Sequence, residues 1–227
     1  MFPSNRFMVK MVMANTYYVA SCSGGKDSVA MVLRLINEKR PLTHVVFYDA
    51  GMEFCAIYSV IEVVRRICEE HGVSFVYLKA DSDFLMEMLV RPIASRKGGE
   101  HYGYDWCGGC CRWRTGDKVR SIEKFLLTLS DGEITQYIGI AKDEPQRIRN
   151  EKGKIYPLVE WGMTEADCLT YCRKNGIKWL EGDIDLYDIL KRVSCWCCCN
   201  KKLNRTSSVL SLLTQILGLF ERFTISH

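Results

Sequence analysis

The feature that most restricts the fold of this chain is a glycine pair between a strand-like run and a helical pattern. Residues 17–22 form the apolar run, and the helical pattern begins directly after the glycines. Adjacent glycines let the backbone turn tightly and approach a ligand closely. The amides of that turn and of the first helical turn then point at one spot, where an anion fits. We therefore predict a phosphate-binding loop made by Ser23, Gly24, Gly25, Lys26, Asp27 and Ser28.

Strand and helix signals alternate along the first part of the chain. The apolar runs at 44–48, 74–78 and 136–140 are typical of buried parallel strands. Over 29–36 and 57–68, apolar residues recur instead at helical spacing. This alternation predicts an α/β fold with a doubly wound, mostly parallel sheet.

The remaining segments divide the chain into three predicted parts. Residues 15–204 form the domain, residues 1–14 a short N-terminal extension, and residues 205–227 a helical tail. Residues 91–113 are rich in Gly, Arg and aromatic side chains and lack periodicity, which indicates a long functional loop. Thr164, followed three residues later by an acidic residue, predicts a helix N-terminus.

Composition and charge restrict the class of protein. Hydrophobic residues make up 48% of the chain and charged residues 26%, as in globular domains. The net charge of +4 permits contact with nucleotides or nucleic acid without requiring it. The most apolar stretch, residues 209–220, is too short to cross a bilayer, and the N-terminus lacks a signal-peptide pattern. We therefore expect a cytoplasmic protein without a membrane partner.

Twelve cysteines are a high count for a cytosolic chain, in which disulfides rarely persist. Two short groups hold most of them, which indicates metal binding rather than a disulfide framework. The first group is Cys107, Cys110 and Cys111, and the second is Cys195, Cys197, Cys198 and Cys199. The remaining five are interpreted as small buried hydrophobes, namely Cys22, Cys55, Cys68, Cys168 and Cys172.

Two ligand sets follow from this clustering, and each brings four thiolates from two loops. A pair of C-x-x-C elements, Cys107 and Cys110 with Cys195 and Cys198, suits a tetrahedral zinc ion. The alternative set is Cys110, Cys111, Cys195 and Cys198, whose adjacent pair suits two corners of a [4Fe–4S] cluster. In this second set Cys107 and Cys197 are alternate ligands or, with Cys199, reactive thiols.

These motifs resemble a known family. The loop at 23–28 is similar to the S-G-G-x-D-S loop of the PP-loop ATP pyrophosphatases, which cleave ATP between the α- and β-phosphates. The adjacent cysteines followed after about eighty residues by C-x-x-C resemble the cluster motif of the phosphoadenosine phosphosulfate (PAPS/APS) reductase branch. Segments 47–54, 156–161 and 186–188 are similar to that branch's F-x-D-T-G-x-x-F, P-L-x-x-W and L-Y-D elements. The resemblance covers about residues 17–204.

The resemblance implies an adenine nucleotide alpha hydrolase-like fold with a Cys-rich metal-binding insertion. It implies that the loop holds the phosphates of ATP or adenylyl sulfate with Mg²⁺, that Lys26 and Asp27 are catalytic, and that Asp49 lies near the adenosine. Gly139 and Arg147 match a G-x-x-x-x-E-x-x-R stretch, whose arginine suits phosphate or sulfate. On this reading a [4Fe–4S] cluster lies beside the nucleotide, with zinc as the alternative metal.

Three functions remain open on these residues. The first is adenylation of an acceptor coupled to sulfur transfer, with a nucleic acid or a sulfur-donor protein as partner. The second is reduction of a sulfonucleotide to sulfite with a thioredoxin-like reductant. That family's reductases use a C-terminal E-C-G-L/I-H cysteine, and this chain has no cysteine after Cys199. The third is a non-catalytic nucleotide or nucleic-acid binding protein, with the aromatic and basic residues of 101–114 stacking on bases. A homo-oligomer fits each function.

Overall fold

A computed structural model of the chain describes residues 15–79, 86, 90–94, 98–102, 115–129, 131–193, 195, 196 and 198. The predicted N-terminal extension, the tail helix and most of the loop at 91–113 lie outside these residues. None of the helices that the structure describes is long and apolar enough to span a membrane.

Strands and helices alternate as the sequence predicts. The strands are β1 Asn15–Ser21, β2 His44–Asp49, β3 Ser74–Lys79, β4 Pro92–Ala94, β5 Glu100–Tyr102, β6 Gly132–Ile138, β7 Lys154–Ile155, β8 Leu180–Glu181 and β9 Ile184–Asp185. The helices are α1 Lys26–Asn37, α2 Cys55–Glu70, α3 Thr115–Leu127, α4 Pro157–Glu160, α5 Glu165–Lys174 and α6 Leu186–Ile189, with a 3₁₀ turn at Pro145–Arg147.

A five-stranded parallel sheet in the order β3-β2-β1-β6-β7 forms the centre of the fold. From β1 the chain first adds β2 and β3 on one side and later adds β6 and β7 on the other. The crevice between β1 and β6 is therefore the switch point, the place where open α/β sheets bind ligands beyond the carboxyl ends of their strands.

Side chains of β2 alternate between the two faces of the sheet. Val45 and Phe47 pack with buried residues of α1 and α2 in the main hydrophobic core. His44 lies on the opposite face, where its ring is 5.8 Å from that of Phe125 in α3. Helices therefore cover both faces, and the prediction of a largely parallel α/β sheet is confirmed.

Two local expectations have clear outcomes in the structure. Thr164 caps α5 in a full capping box, because its hydroxyl accepts from the Asp167 amide at 3.2 Å while the Thr164 amide donates to Asp167 at 2.9 Å. The strand predicted at 136–140 instead begins at Gly132, since β6 pairs with β1 along its whole length from Asn15 onward. Such long-range pairing leaves no periodic signal in the sequence.

The burial of the isolated cysteines is confirmed except at one position. Cys22, Cys68, Cys168 and Cys172 are buried, and burial raises the pKa of Cys68 to about 12 and that of the other three thiols as well. Their thiols are protonated and unreactive at neutral pH. The interpretation of Cys55 was wrong, because this residue starts α2 and is exposed.

Gly139 directly follows β6 and lies against the backbone of the loop that follows β1. A Cβ at this position would lie 2.9 Å from the Cα of Ser28 and 3.2 Å from its amide nitrogen. The strand and the loop thus approach too closely for any side chain.

We predict that Gly139→Ala destabilises the protein by about 1–3 kcal/mol, because backbone atoms must move to admit the methyl group. The free energy of unfolding in urea measures this loss. Gly116→Ala is the matched control: among the described residues its Cβ would meet the end of Arg120 at 3.8 Å, and alanine favours the surrounding helix. Equal stabilities of the two variants would contradict the close approach.

Candidate functional site

The loop between β1 and α1 has a defined shape that its own residues maintain. Gly24 has a φ of +76°, and a Cβ there would lie 2.8 Å from Ile57. The hydroxyl of Ser28 donates to the carbonyl of Gly25 at 3.0 Å and accepts from the amide of Ser23 at 3.0 Å. Gly25 is the N-cap of α1 in an extended conformation, without a side-chain cap. The first turn of α1 therefore begins inside the loop, as the sequence predicts.

Two aromatic side chains from the C-terminal half of the domain hold this loop in place. The buried indole of Trp179 donates to the carbonyl of Gly24 at 2.7 Å. The hydroxyl of Tyr187 accepts from the amide of Lys26 at 2.9 Å, and the two rings meet edge to face at 4.7 Å. Burial raises the pKa of Tyr187, so the phenol stays protonated. Sequence patterns gave no sign of either contact, since both join residues far apart in the chain.

Lys26 is buried at the start of α1 and faces carboxylates rather than solvent. Its ammonium lies 3.5 Å from Asp27 Oδ1 and 3.6 Å from Glu165 Oε1. Burial raises the pKa of Asp27, and the nearby Lys26 opposes this shift. At 3.5 Å the ion pair is too long for a strong hydrogen bond. Asp27 Oδ1 is buried without a hydrogen-bond partner among the described residues.

A second layer of charge surrounds this pair. Arg192 contacts Glu144 and lies 3.0 Å from Glu165 Oε1, while Arg147 contacts Glu144 from the 3₁₀ turn. Asp27, Glu144 and Glu165 each offer a carboxylate oxygen within 4.8 Å of the others. Carboxylates of this kind suit Mg²⁺, but each of the two glutamates already has an arginine within hydrogen-bonding distance. Among the described residues Asp27 Oδ1 has the ion pair with Lys26 at 3.5 Å and no hydrogen bond, so Asp27 is the carboxylate best placed to accept a cation.

A pocket of about 160 Å³ opens at the switch point of the sheet. It is lined by Ser23, Gly25, Lys26, Asp27, Ser28, Gly139, Arg147, Tyr187, Arg192 and Val193. The structure thus brings five residues of the predicted loop together with Gly139 and Arg147. The sixth, Gly24, does not line this pocket and lies against Ile57. Sites for whole small molecules measure about 300–1,000 Å³. The pocket therefore matches the phosphate end of a nucleotide rather than all of it.

Asp49 lies at the carboxyl end of β2 and does not line this pocket. Its carboxylate accepts from the amide of Gly51 at 2.6 Å and from the hydroxyls of Tyr58 at 2.8 Å and Tyr77 at 2.6 Å. Burial raises the pKa of both tyrosines, so each remains a donor. Asp49 thus shapes the turn after β2, and its contact with adenosine stays a prediction.

Cys195 of the second cysteine group lies at the same edge of the sheet, against the turn that follows β2. Cys195 Sγ lies 3.7 Å from a carboxylate oxygen of Glu53, and the amide of Trp196 donates to the carbonyl of Met52 at 3.1 Å. The amide of Cys198 donates to the carbonyl of Cys195 at 3.0 Å, which closes a tight turn between two half-buried thiols. This turn suits a C-x-x-C metal ligand pair. The other predicted ligands and alternates, Cys107, Cys110, Cys111 and Cys197, lie outside the described residues, as does Cys199.

Comparison with known proteins agrees with the resemblance found in the sequence. No protein-family model matches the chain. It is 25% identical over 175 residues to adenosine 5'-phosphosulfate reductase 2 of Bacillus subtilis, covering 71% of this chain and 64% of that protein. It is 42% identical over 52 residues to adenosine 5'-phosphosulfate reductase of Bacillus cytotoxicus, covering 23% of this chain and 22% of that protein. These similarities confirm the resemblance to the PP-loop superfamily and its PAPS reductase-like branch.

Among solved structures, the U34-tRNA thiolase NcsA from Methanococcus maripaludis with its [4Fe-4S] cluster aligns at a TM-score of 0.46 and 14% identity. The alignment covers 89% of this chain and 65% of that one. The chain spans less than two thirds of the length of each of these three proteins.

Proposed function

We propose that this protein is a PP-loop enzyme that binds ATP and adenylates an acceptor as a step in sulfur transfer. The observation that carries the proposal is the pocket at the switch point, where the loop, Lys26 and Arg147 surround a space sized for phosphates. In the proposed reaction, an acceptor oxygen attacks the α-phosphorus and the bond to the bridging oxygen breaks. Pyrophosphate leaves with the electron pair of that bond.

The residues of the pocket suit this reaction by placing positive charge where charge develops on the leaving group. Amides of the loop and of the first turn of α1 bind phosphate oxygens, apart from those of Ser23 and Lys26, which donate to Ser28 and Tyr187. Lys26 and Arg147 neutralise pyrophosphate as it departs, and such preorganised electrostatic contacts supply much of the catalysis in phosphoryl transfer. The contacts of Trp179 and Tyr187 fix the loop beforehand, so little free energy is lost in ordering it.

Mg²⁺ fits this site through Asp27, whose buried Oδ1 lacks a hydrogen-bond partner among the described residues. When bound, the ion would neutralise negative charge on the phosphates. Asp27 would hold the ion, and the adjacent Lys26 would keep the pocket from becoming too negative. Lys26 and Asp27 therefore both have catalytic roles in the proposed reaction.

The proposal places a [4Fe–4S] cluster on Cys195 and Cys198 together with Cys110 and Cys111. The tight turn between the two described thiols is the observation that fits such a ligand pair. The cluster, when bound, supplies iron sites for sulfur ligands and electron transfer. The alternative is a zinc ion on the same thiolates, in which case the metal site would have a structural role.

A second candidate function is reduction of adenylyl sulfate, which the sequence similarity to two adenosine 5'-phosphosulfate reductases favours. The same pocket accepts the charged end of adenylyl sulfate. Release of sulfite from adenylyl sulfate with thioredoxin as reductant would establish this second reaction, provided that ATP yields no pyrophosphate. Nucleotide binding without either product would favour a binding protein.

The decisive residue for the proposed reaction is Lys26. We predict that the wild-type protein releases pyrophosphate from ATP, with AMP as the other product when water takes the place of the acceptor, and that Lys26→Ala lowers this rate at least about 100-fold, as loss of a preorganised charge does. Chromatography of the nucleotides and an enzymatic pyrophosphate assay measure both products. Lys178→Ala, on an exposed position away from the pocket, is the control and keeps the activity. Formation of ADP and phosphate would contradict the proposal.

The cluster is tested separately from the nucleotide. We predict that anaerobically purified protein is brown and holds about four iron atoms per chain, and that Cys195→Ser and Cys198→Ser lose most of this iron. Elemental analysis and visible absorption measure the loss. Cys55→Ser, at an exposed thiol, is the matched control and keeps its iron. A colourless protein with one zinc ion per chain would contradict the proposed [4Fe–4S] cluster.

A further inference from the structure

We propose that Arg192 is an additional phosphate-binding residue of the pocket and that Glu144 and Glu165 compete with the phosphate for it. The proposal rests on the function proposed above, because it takes the pyrophosphate end of a nucleotide as the ligand. Neither the loop motif nor the G-x-x-x-x-E-x-x-R stretch includes this arginine, which follows α6 in the chain.

The position of Arg192 carries the first step. Its guanidinium lines the same pocket as Lys26 and Arg147. The side chain is 48% exposed, whereas the carboxyl groups that it contacts are 6% exposed in Glu144 and 8% in Glu165. The arginine therefore lies over buried carboxylates with part of its surface open to the pocket. Its planar head has five N–H donors, so some remain for a ligand while others hold a carboxylate.

The balance of charge carries the second step. Among the described residues, three carboxylates, those of Asp27, Glu144 and Glu165, face four cations. These cations are Lys26, Arg147, Lys191 and Arg192, with Lys191 at 3.7 Å from Glu165. Buried carboxylates require a charged partner, and Glu144 keeps Arg147 while Glu165 keeps Lys26 and Lys191 if Arg192 turns away. Arg192 is thus the cation that the cluster can release without leaving either glutamate unpaired.

Arg192 also lies close in the chain to the second cysteine group. Val193 lines the pocket too, and Cys195 follows two residues later with its sulfur 3.7 Å from a carboxylate oxygen of Glu53. The proposed phosphate ligand and a predicted cluster ligand are therefore three residues apart.

Pyrophosphate binding to the full chain, measured by isothermal titration calorimetry at fixed ionic strength, tests the proposal. We expect Arg192→Gln to weaken binding by about 10- to 100-fold, as loss of a hydrogen bond between charged groups does. Glu144→Gln removes a competitor for the arginine and should tighten binding by about twofold to fivefold. A misfolded variant cannot bind more tightly, so this direction separates competition from structural damage.

The double variant assigns the gain to Arg192 rather than to Arg147, which shares Glu144. Glu144→Gln in the Arg192→Gln background should bring no gain. Arg65→Gln is the matched control, because that arginine also contacts two carboxylates but lies on the surface of α2. This inference alone is overturned if the wild type binds pyrophosphate and Arg192→Gln binds it equally tightly. It is also overturned if Glu144→Gln binds pyrophosphate no more tightly than the wild type does. No binding of pyrophosphate or ATP by the wild type overturns the proposed function as well.

Discussion

The hydrogen bond from the indole of Trp179 to the carbonyl of Gly24 is the contact on which the site depends. Both groups are buried, so an unpaired donor or acceptor there would cost about 1–3 kcal/mol. The bond fixes the position of the Gly24 carbonyl and with it the path of the loop backbone. Tyr187 adds a second fixed point at the first amide of α1. The loop is therefore shaped by the C-terminal half of the domain before any phosphate binds.

The parallel sheet brings the remaining parts of the site to one edge. The loop follows β1, Gly139 follows β6, and the turn at Asp49 follows β2, so all three lie beyond the carboxyl ends of neighbouring strands. Contacts with Met52 and Glu53 hold the Cys195 turn at this same edge. The pocket and the Cys195 turn thus come to the same edge of the sheet, although most of the chain separates Cys195 from the loop in sequence.

The parts of the site that were predictable from sequence are those set by local chemistry. Adjacent glycines before an amphipathic helix determine the loop, and apolar runs determine the strands. The contacts of Trp179, Tyr187 and Arg192 were not predictable, because each joins elements more than 20 residues apart and leaves no periodic pattern. The hydrogen bonds of Asp49 were not predicted, for the same reason. The family resemblance implies that this carboxylate lies near adenosine, but in the structure it accepts hydrogen bonds from tyrosines of α2 and β3.

The claim that the loop binds the phosphates of ATP is tested most directly by a crystal structure with a non-hydrolysable ATP analogue. A suitable analogue has a methylene bridge between the α- and β-phosphates. The account predicts that the β- and γ-phosphates contact the amides of the loop at 23–28, with Lys26 and Arg147 within hydrogen-bonding distance of them. The adenosine would lie outside the pocket along the carboxyl edge of the sheet. Phosphates bound elsewhere on the protein, with the loop vacant, would contradict it.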